Sequence, residues 1–204
     1  MPSASKPGPL GVEGIIPKIE DGTLVRAVSP IPGPVDAGAK AKKKDISVDD
    51  GKSIVAEAAD WKGTPYMQSG PGSTKGVGGD CSGTTQKIYQ AAQFPYAYRQ
   101  AKEFPEYALN SGLFRELGAS DPKQDGDILS WSGHMAIYSS FASDPANATT
   151  VRPAKGGKGT WLQKNDMWSA SHPPTPTHPT SPPYAPAEMK WWKLGVPRVF
   201  RYQK

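Results

Sequence analysis

The sequence predicts an α+β fold, with helices packed on a central antiparallel sheet. Helical pieces are read between Ser47 and Gly112, short alternating or apolar segments follow them, and the two regions do not interleave. Helices first and strands afterwards give this architecture rather than a parallel sheet, which needs the two to alternate. The 22 glycines and 22 prolines lie far above average usage and go to loops and ends. A chain of 204 residues suffices for one domain with a real core.

Residues 1–45 carry "KPGPLG", "SPIPGPVDAG" and one candidate hairpin, "GIIPKIEDGTLVRAV", turning at Asp21-Gly22. They read as an irregular leader or docking arm before a domain over 46–204. In "SVDDGKSIVAEAADW" a serine precedes an acidic residue three later, and Ile54, Ala58 and Trp61 recur at helical spacing, which predicts a capped amphipathic helix. "KGTPYMQSGPGSTKGVGGD" is a glycine-rich loop, and the next helix is expected from Cys81 to Gln93 with Asp80 as N-cap. A third helical piece, "RQAKEFPEYALNSG", is broken or restarted at Pro105. "GDILSW", "HMAIYSS" and "ATTVRPA" read as strands, 171–187 as a proline-rich extended loop, and the end of "EMKWWKLGVPRVFRY" as a closing strand.

The net charge of +5 is mild and, apart from "AKAKKK" at 39–44, the lysines are scattered, so no groove for nucleic acid is indicated. Such a surface suits any polyanion, bacterial cell wall among them. No run approaches the ~20 apolar residues of a membrane span. The N-terminus lacks the charged start and apolar stretch of a secretory signal, so synthesis in the cytoplasm is expected.

The most specific signal is the lone cysteine, Cys81, in "GGDCSGTTQKIYQAA". One cysteine makes no internal disulfide. At the first turn of a helix its thiolate faces unpaired N–H groups and the positive end of the helix dipole, so position alone predicts an acidified thiol. A nucleophile also needs a base, and the chain has three histidines. His172 and His178 fall in the proline-rich stretch and read as solvated. His134 starts an apolar strand, from which a side chain can point towards a neighbouring helix end. A helix-borne thiol with a strand-borne imidazole is the arrangement of papain-like catalysis. Trp61 and Trp131 fall on core-facing positions, whereas Trp191 and Trp192 are adjacent, so in a strand one of them faces out.

Four blocks carry a family resemblance: "GTPYMQSGPGSTKGVGGDCSG", "TTQKIYQAAQF", "KQDGDILSW" and "SGHMAIY", in that order over about residues 50–155. Together they resemble the NlpC-type family of papain-like cysteine peptidases that hydrolyse bacterial peptidoglycan. The resemblance implies a papain-like NlpC-type fold in which Cys81 attacks an amide carbonyl of the stem peptide and His134 shuttles the proton. It also implies that Tyr66 and the Cys81 backbone N–H hold the oxyanion, with Asp80 and Ser82 beside the substrate groove. Each has a plainer reading as well: Tyr66 as a core residue, Asp80 as a helix cap, Ser82 as a first-turn residue. The chain departs from the pattern at Met67, Gln68 and Ser69, where the family shows an aromatic and glycines. It departs again after the histidine strand, where "ATTVRPAKGG" offers Arg152 and Lys155, neither of which accepts an imidazole N–H. Asn165, Asp166, a backbone carbonyl or nothing is then left to orient His134.

The expected function is peptidoglycan stem-peptide amide hydrolysis. Without a signal peptide or wall-binding repeats, the expectation extends to an antibacterial toxin carried by type VI secretion into a target bacterium's periplasm, with a cognate immunity protein plugging the cleft. A deamidase or transglutaminase-type protein modifier and a non-catalytic wall-binding module are the alternatives. No cofactor is implied, and three histidines with one cysteine do not suggest a metal centre.

Overall fold

The computed structural model describes residues 43–154, 156–170, 183–192 and 194–204, the side chains of 191 and 192 apart. The expected leader and its candidate hairpin at Asp21-Gly22, Lys155, His172, His178, most of the expected proline-rich loop and the side chains of Trp191 and Trp192 lie outside the described residues.

Three helices come first. Helix α1 (Val48–Asp60) opens on a capping box, in which Ser47 Oγ accepts from Asp50 N at 3.1 Å and Asp50 Oδ2 accepts from Ser47 N at 2.8 Å. Its buried stripe is Gly51, Ile54, Val55 and Ala58, the i, i+3, i+4, i+7 spacing of one helix face. Gly51 belongs to that stripe for a steric reason: a Cβ there would stand 2.0 Å from the Asp125 carbonyl oxygen. Helix α2 (Cys81–Ala91) is two residues shorter than expected, ending before Gln93, which adopts φ 70. Helix α3 (Phe104–Ser111) holds Pro105 in its first turn and closes on Gly112 at φ 64. Residues 99–103 are therefore not helical as the sequence suggested. Proline has no N–H to bond into a helix arriving from upstream, so the chain stays extended until the turn at Ala101–Glu103.

The strands are β1 (Phe114–Glu116), β2 (Ile128–Trp131), β3 (His134–Tyr138), β4 (Thr149–Pro153), β5 (Thr160–Lys164), β6 (Met167–Ser169), β7 (Ala185–Ala187) and β8 (Arg198–Tyr202). Six form one antiparallel sheet in the order β1-β8-β2-β3-β6-β7. The fold is thus mixed helix and antiparallel sheet. Strand β4, the "ATTVRPA" segment, does not join it; β4 and β5 pair as a separate hairpin, Val151 opposite Leu162. The strand beside the histidine strand is β6, after that excursion.

The core between helices and sheet is aromatic. Phe104, Phe114, Tyr96, Phe200 and Tyr202 meet edge to face at centroid distances of 5.1 to 5.7 Å. Tyr89, fully buried among them, donates its hydroxyl to the Gly126 carbonyl. The Gly-Asp pair at the entry to β2 has a structural role: Asp127, with no exposed surface, takes two bonds from Arg201 of β8 at 2.9 and 2.8 Å. Arg115 of β1 holds Asp45 at 2.7 Å and Asp121 at 2.9 Å. Residue 44 exchanges both backbone hydrogen bonds with residue 204, each at 2.9 Å. No helix among the described residues is long and apolar enough to cross a membrane.

Candidate active site

Cys81 is the first residue of α2, as its sequence position requires. Asp80 caps the helix, its Oδ1 accepting from Gly83 N at 2.7 Å and from the Ser82 hydroxyl at 3.0 Å. Its second oxygen accepts from Gly70 N at 2.5 Å. Both carboxylate oxygens of Asp80 are thus engaged inside the protein, in the structural role of the two read from sequence. Gly70–Gly72 lies tight against α2, since a Cβ on Gly83 would stand 1.9 Å from Gly70 O and 2.2 Å from Ser73 Oγ. These glycines let the loop close over the first turn of α2.

The thiol itself is buried, 8% exposed, in the same core cluster as Met135, the residue after His134. Helix α2 packs directly on β3. The acidified thiol expected from position is not what the structure gives. Burial pushes the Cys81 thiol up to about 11, the neighbouring Asp80 carboxylate adds to the rise, and the bonds from the Met135, Ser82 and Cys81 backbones only partly offset it. Removing the thiolate from water costs more here than the helix end returns.

His134 is buried on β3, 5% exposed, with its ring 5.7 Å from that of Trp131. Its Nε2 lies 2.8 Å from Ser169 Oγ, at the end of the neighbouring strand β6. Ser169 spends its own proton on the Ala170 carbonyl at 3.1 Å, so its lone pair is available to accept from imidazole. With the Ser169 proton on Ala170 O, the Nε2–H tautomer is the one that fits this bond. Ser169 is the orienting group that sequence did not reveal. Asn165 donates to Asn147 O at 2.8 Å and Thr150 Oγ1 at 2.9 Å and accepts from Gln163, while Asp166 accepts from Met189 N at 2.7 Å. Both anchor loops instead.

Tyr66 is half-buried and held beside the nucleophile loop, Met67 N and Gly79 O bonding at 3.1 Å and Gly79 N and Pro65 O at 3.0 Å. Burial, with Cys81 and Asp80 nearby, pushes its phenol up to about 12, so it stays a hydrogen-bond donor. Ser82 is buried, donates to Asp80 and lies 3.4 Å from the Tyr98 hydroxyl.

A cleft of about 590 Å³ opens over Cys81. Tyr66, Gln68 and Ser69 wall one part, Tyr98, Gln100 and Lys102 another, and Ser132 and Gly133 complete it. The wall at 98–102 was missed because the sequence from Arg99 onwards reads as part of the third helical piece. The useful signal was the alternation in "FPYAYRQ", where Phe94 and Tyr96 are buried and Ala97 is exposed.

No protein-family model matches the chain, and no curated protein sequence matches it. Among solved structures it is similar to the crystal structure of the NlpC/p60 domain of the peptidoglycan hydrolase SagA, with 24% identity and a TM-score of 0.34 over 56% of this chain and 88% of that one.

Proposed function

We propose that this protein is a thiol-dependent amide hydrolase acting on the peptide stem of peptidoglycan. The carrying observation is the packing of α2 on β3, which buries Cys81 at the start of the helix and His134 at the start of the strand, with His134 Nε2 bonded to Ser169 Oγ and the cleft opening over Cys81. The substrate class rests on the sequence resemblance. Because burial keeps the resting thiol protonated, His134 acts as a general base at the moment of attack rather than as half of a standing ion pair.

In the reaction so proposed, Cys81 Sγ passes its proton to His134 Nδ1 as it bonds to the carbonyl carbon. The oxyanion is held by the Cys81 backbone N–H and the Tyr66 hydroxyl. As the carbon–nitrogen bond breaks, His134 returns the proton to the departing amine; water then attacks the thioester carbonyl and gives a proton to His134, and as the carbon–sulfur bond breaks the acid leaves and His134 returns that proton to Cys81 Sγ.

Purified protein and its Cys81→Ala variant, incubated with intact sacculi, test this by mass spectrometry of the released muropeptides. Cysteine-dependent fragments with new stem ends are expected; identical digests from two folded samples would refute the reading. The raised thiol favours one alternative, a wall-binding module without turnover. That alternative predicts retention on sacculi with no new ends. An antibacterial role with a cognate immunity protein in the cleft belongs to the same proposal. Its check is growth of a bacterium expressing the chain in its periplasm, where arrest that depends on Cys81 is expected.

A further inference from the structure

Two charged side chains line the cleft over Cys81, Asp80 and Lys102, and they are not equally available. Asp80 has committed Oδ1 to Gly83 N and the Ser82 hydroxyl and Oδ2 to Gly70 N, so it presents little to a ligand. Lys102 is exposed, and among the described residues no carboxylate or other acceptor bonds its ammonium. The other cation of this stretch, Arg99, is occupied differently: it donates to Tyr98 O at 2.6 Å and lies over the Tyr107 ring at 4.8 Å.

The backbone that carries Lys102 is fixed. Ala101 is buried on one side of it and Phe104 is fully buried on the other, with Lys102 in the turn between them. The base of the side chain is therefore set against the cleft while its ammonium is free to reach a ligand. The N-terminus of the 11-residue helix α2 also ends at this cleft and carries a positive partial charge. Lys102 thus brings a free cation to a cleft whose one carboxylate, Asp80, keeps its charge but has both oxygens bonded inside the protein.

We propose that Lys102 is the specificity-determining residue of this cleft, pairing with a free carboxylate of the substrate, so that stems bearing carboxylates are cleaved in preference to the same stems with carboxamides. A carboxamide keeps the shape and loses the charge, so discrimination falls on the ion pair alone. The inference rests on the stem-peptide hydrolase reading above and names which chemical form of the stem that site takes.

The test uses full-length protein and a synthetic tetrapeptide stem containing D-glutamate and diaminopimelate, supplied with all carboxylates free and with each side carboxylate amidated in turn. For wild type, kcat/KM is expected to be about 10-fold or more higher for the free form than for at least one amidated form. Lys102→Met is expected to bring that ratio close to one, Lys102→Glu to carry it below one, and Lys102→Arg to keep it. The same ratio in wild type and Lys102→Met, with both folded by circular dichroism, would overturn the assignment of Lys102 while leaving the hydrolase reading intact. Equal rates on all forms by wild type would do the same. Cleavage of none of the peptides would instead remove the hydrolase reading, and this inference with it.

Discussion

Ser169 sets the chemistry of His134 with a single lone pair. Its hydroxyl proton is bonded to Ala170 O, which fits an Nε2–H donor on His134 at 2.8 Å. Ser169→Ala is expected to lower kcat by about 10- to 100-fold with KM little changed, and Ser169→Thr to restore most of it. A purely structural role would show instead as a lower melting temperature with kcat preserved. The thiol gives a second prediction at this scale. With burial holding it near 11, alkylation of unliganded protein by iodoacetamide is expected to climb about tenfold per pH unit from neutral to about pH 10. A rate already flat below pH 8 would show a thiolate present at rest. Cys81 and His134 were legible because each stands at a position with local meaning, a helix start and a strand start. Ser169 and the buried thiol were not, because pairing between distant strands and the loss of solvent around a side chain have no local signature.

Among the elements, the approach of α2 to the loop at Gly70–Gly72 matters most to the site. Gly83→Ala would drive a methyl group to 1.9 Å from Gly70 O, and Gly70 N is also the donor that holds Asp80 Oδ2. The substitution is expected to cost about 1–3 kcal/mol in urea unfolding and to expose Cys81 to thiol reagents. Gly51→Ala sets helix propensity against sterics: a gain of about 1 kcal/mol from propensity meets a contact of 2.0 Å with Asp125 O, and the contact decides. Sequence disclosed all three helices and the strands of the central sheet's middle. It did not disclose that β4 would leave that sheet, because "ATTVRPA" has the alternation of a strand and alternation does not name a partner.

Across the whole molecule, charged pairs tie the ends of the fold to its centre. Arg201 on the last strand satisfies Asp127 inside the core, so Arg201→Met is expected to destabilise by about 3–5 kcal/mol, with Arg201→Met/Asp127→Leu recovering much of the loss. Nearer the surface, bonds from Arg115 and Arg198 hold Asp45 and Glu116 below the usual carboxylate range, as Lys204 does Asp50. A depressed folded pKa contributes stability that is complete above the unfolded value and is lost as pH falls through the folded one. The melting temperature is therefore expected to hold down to about pH 5 and to fall progressively below pH 4, which a calorimetric series checks.

The paired amides of Lys44 and Lys204 put the entry and the exit of the folded unit side by side. Where two ends already touch, which one comes first is a matter of covalent bookkeeping rather than of folding. A rearranged gene that joins 204 to 44 through a few glycines and starts the chain at Lys158, in the exposed turn between β4 and β5, should yield the same body with the same cleft.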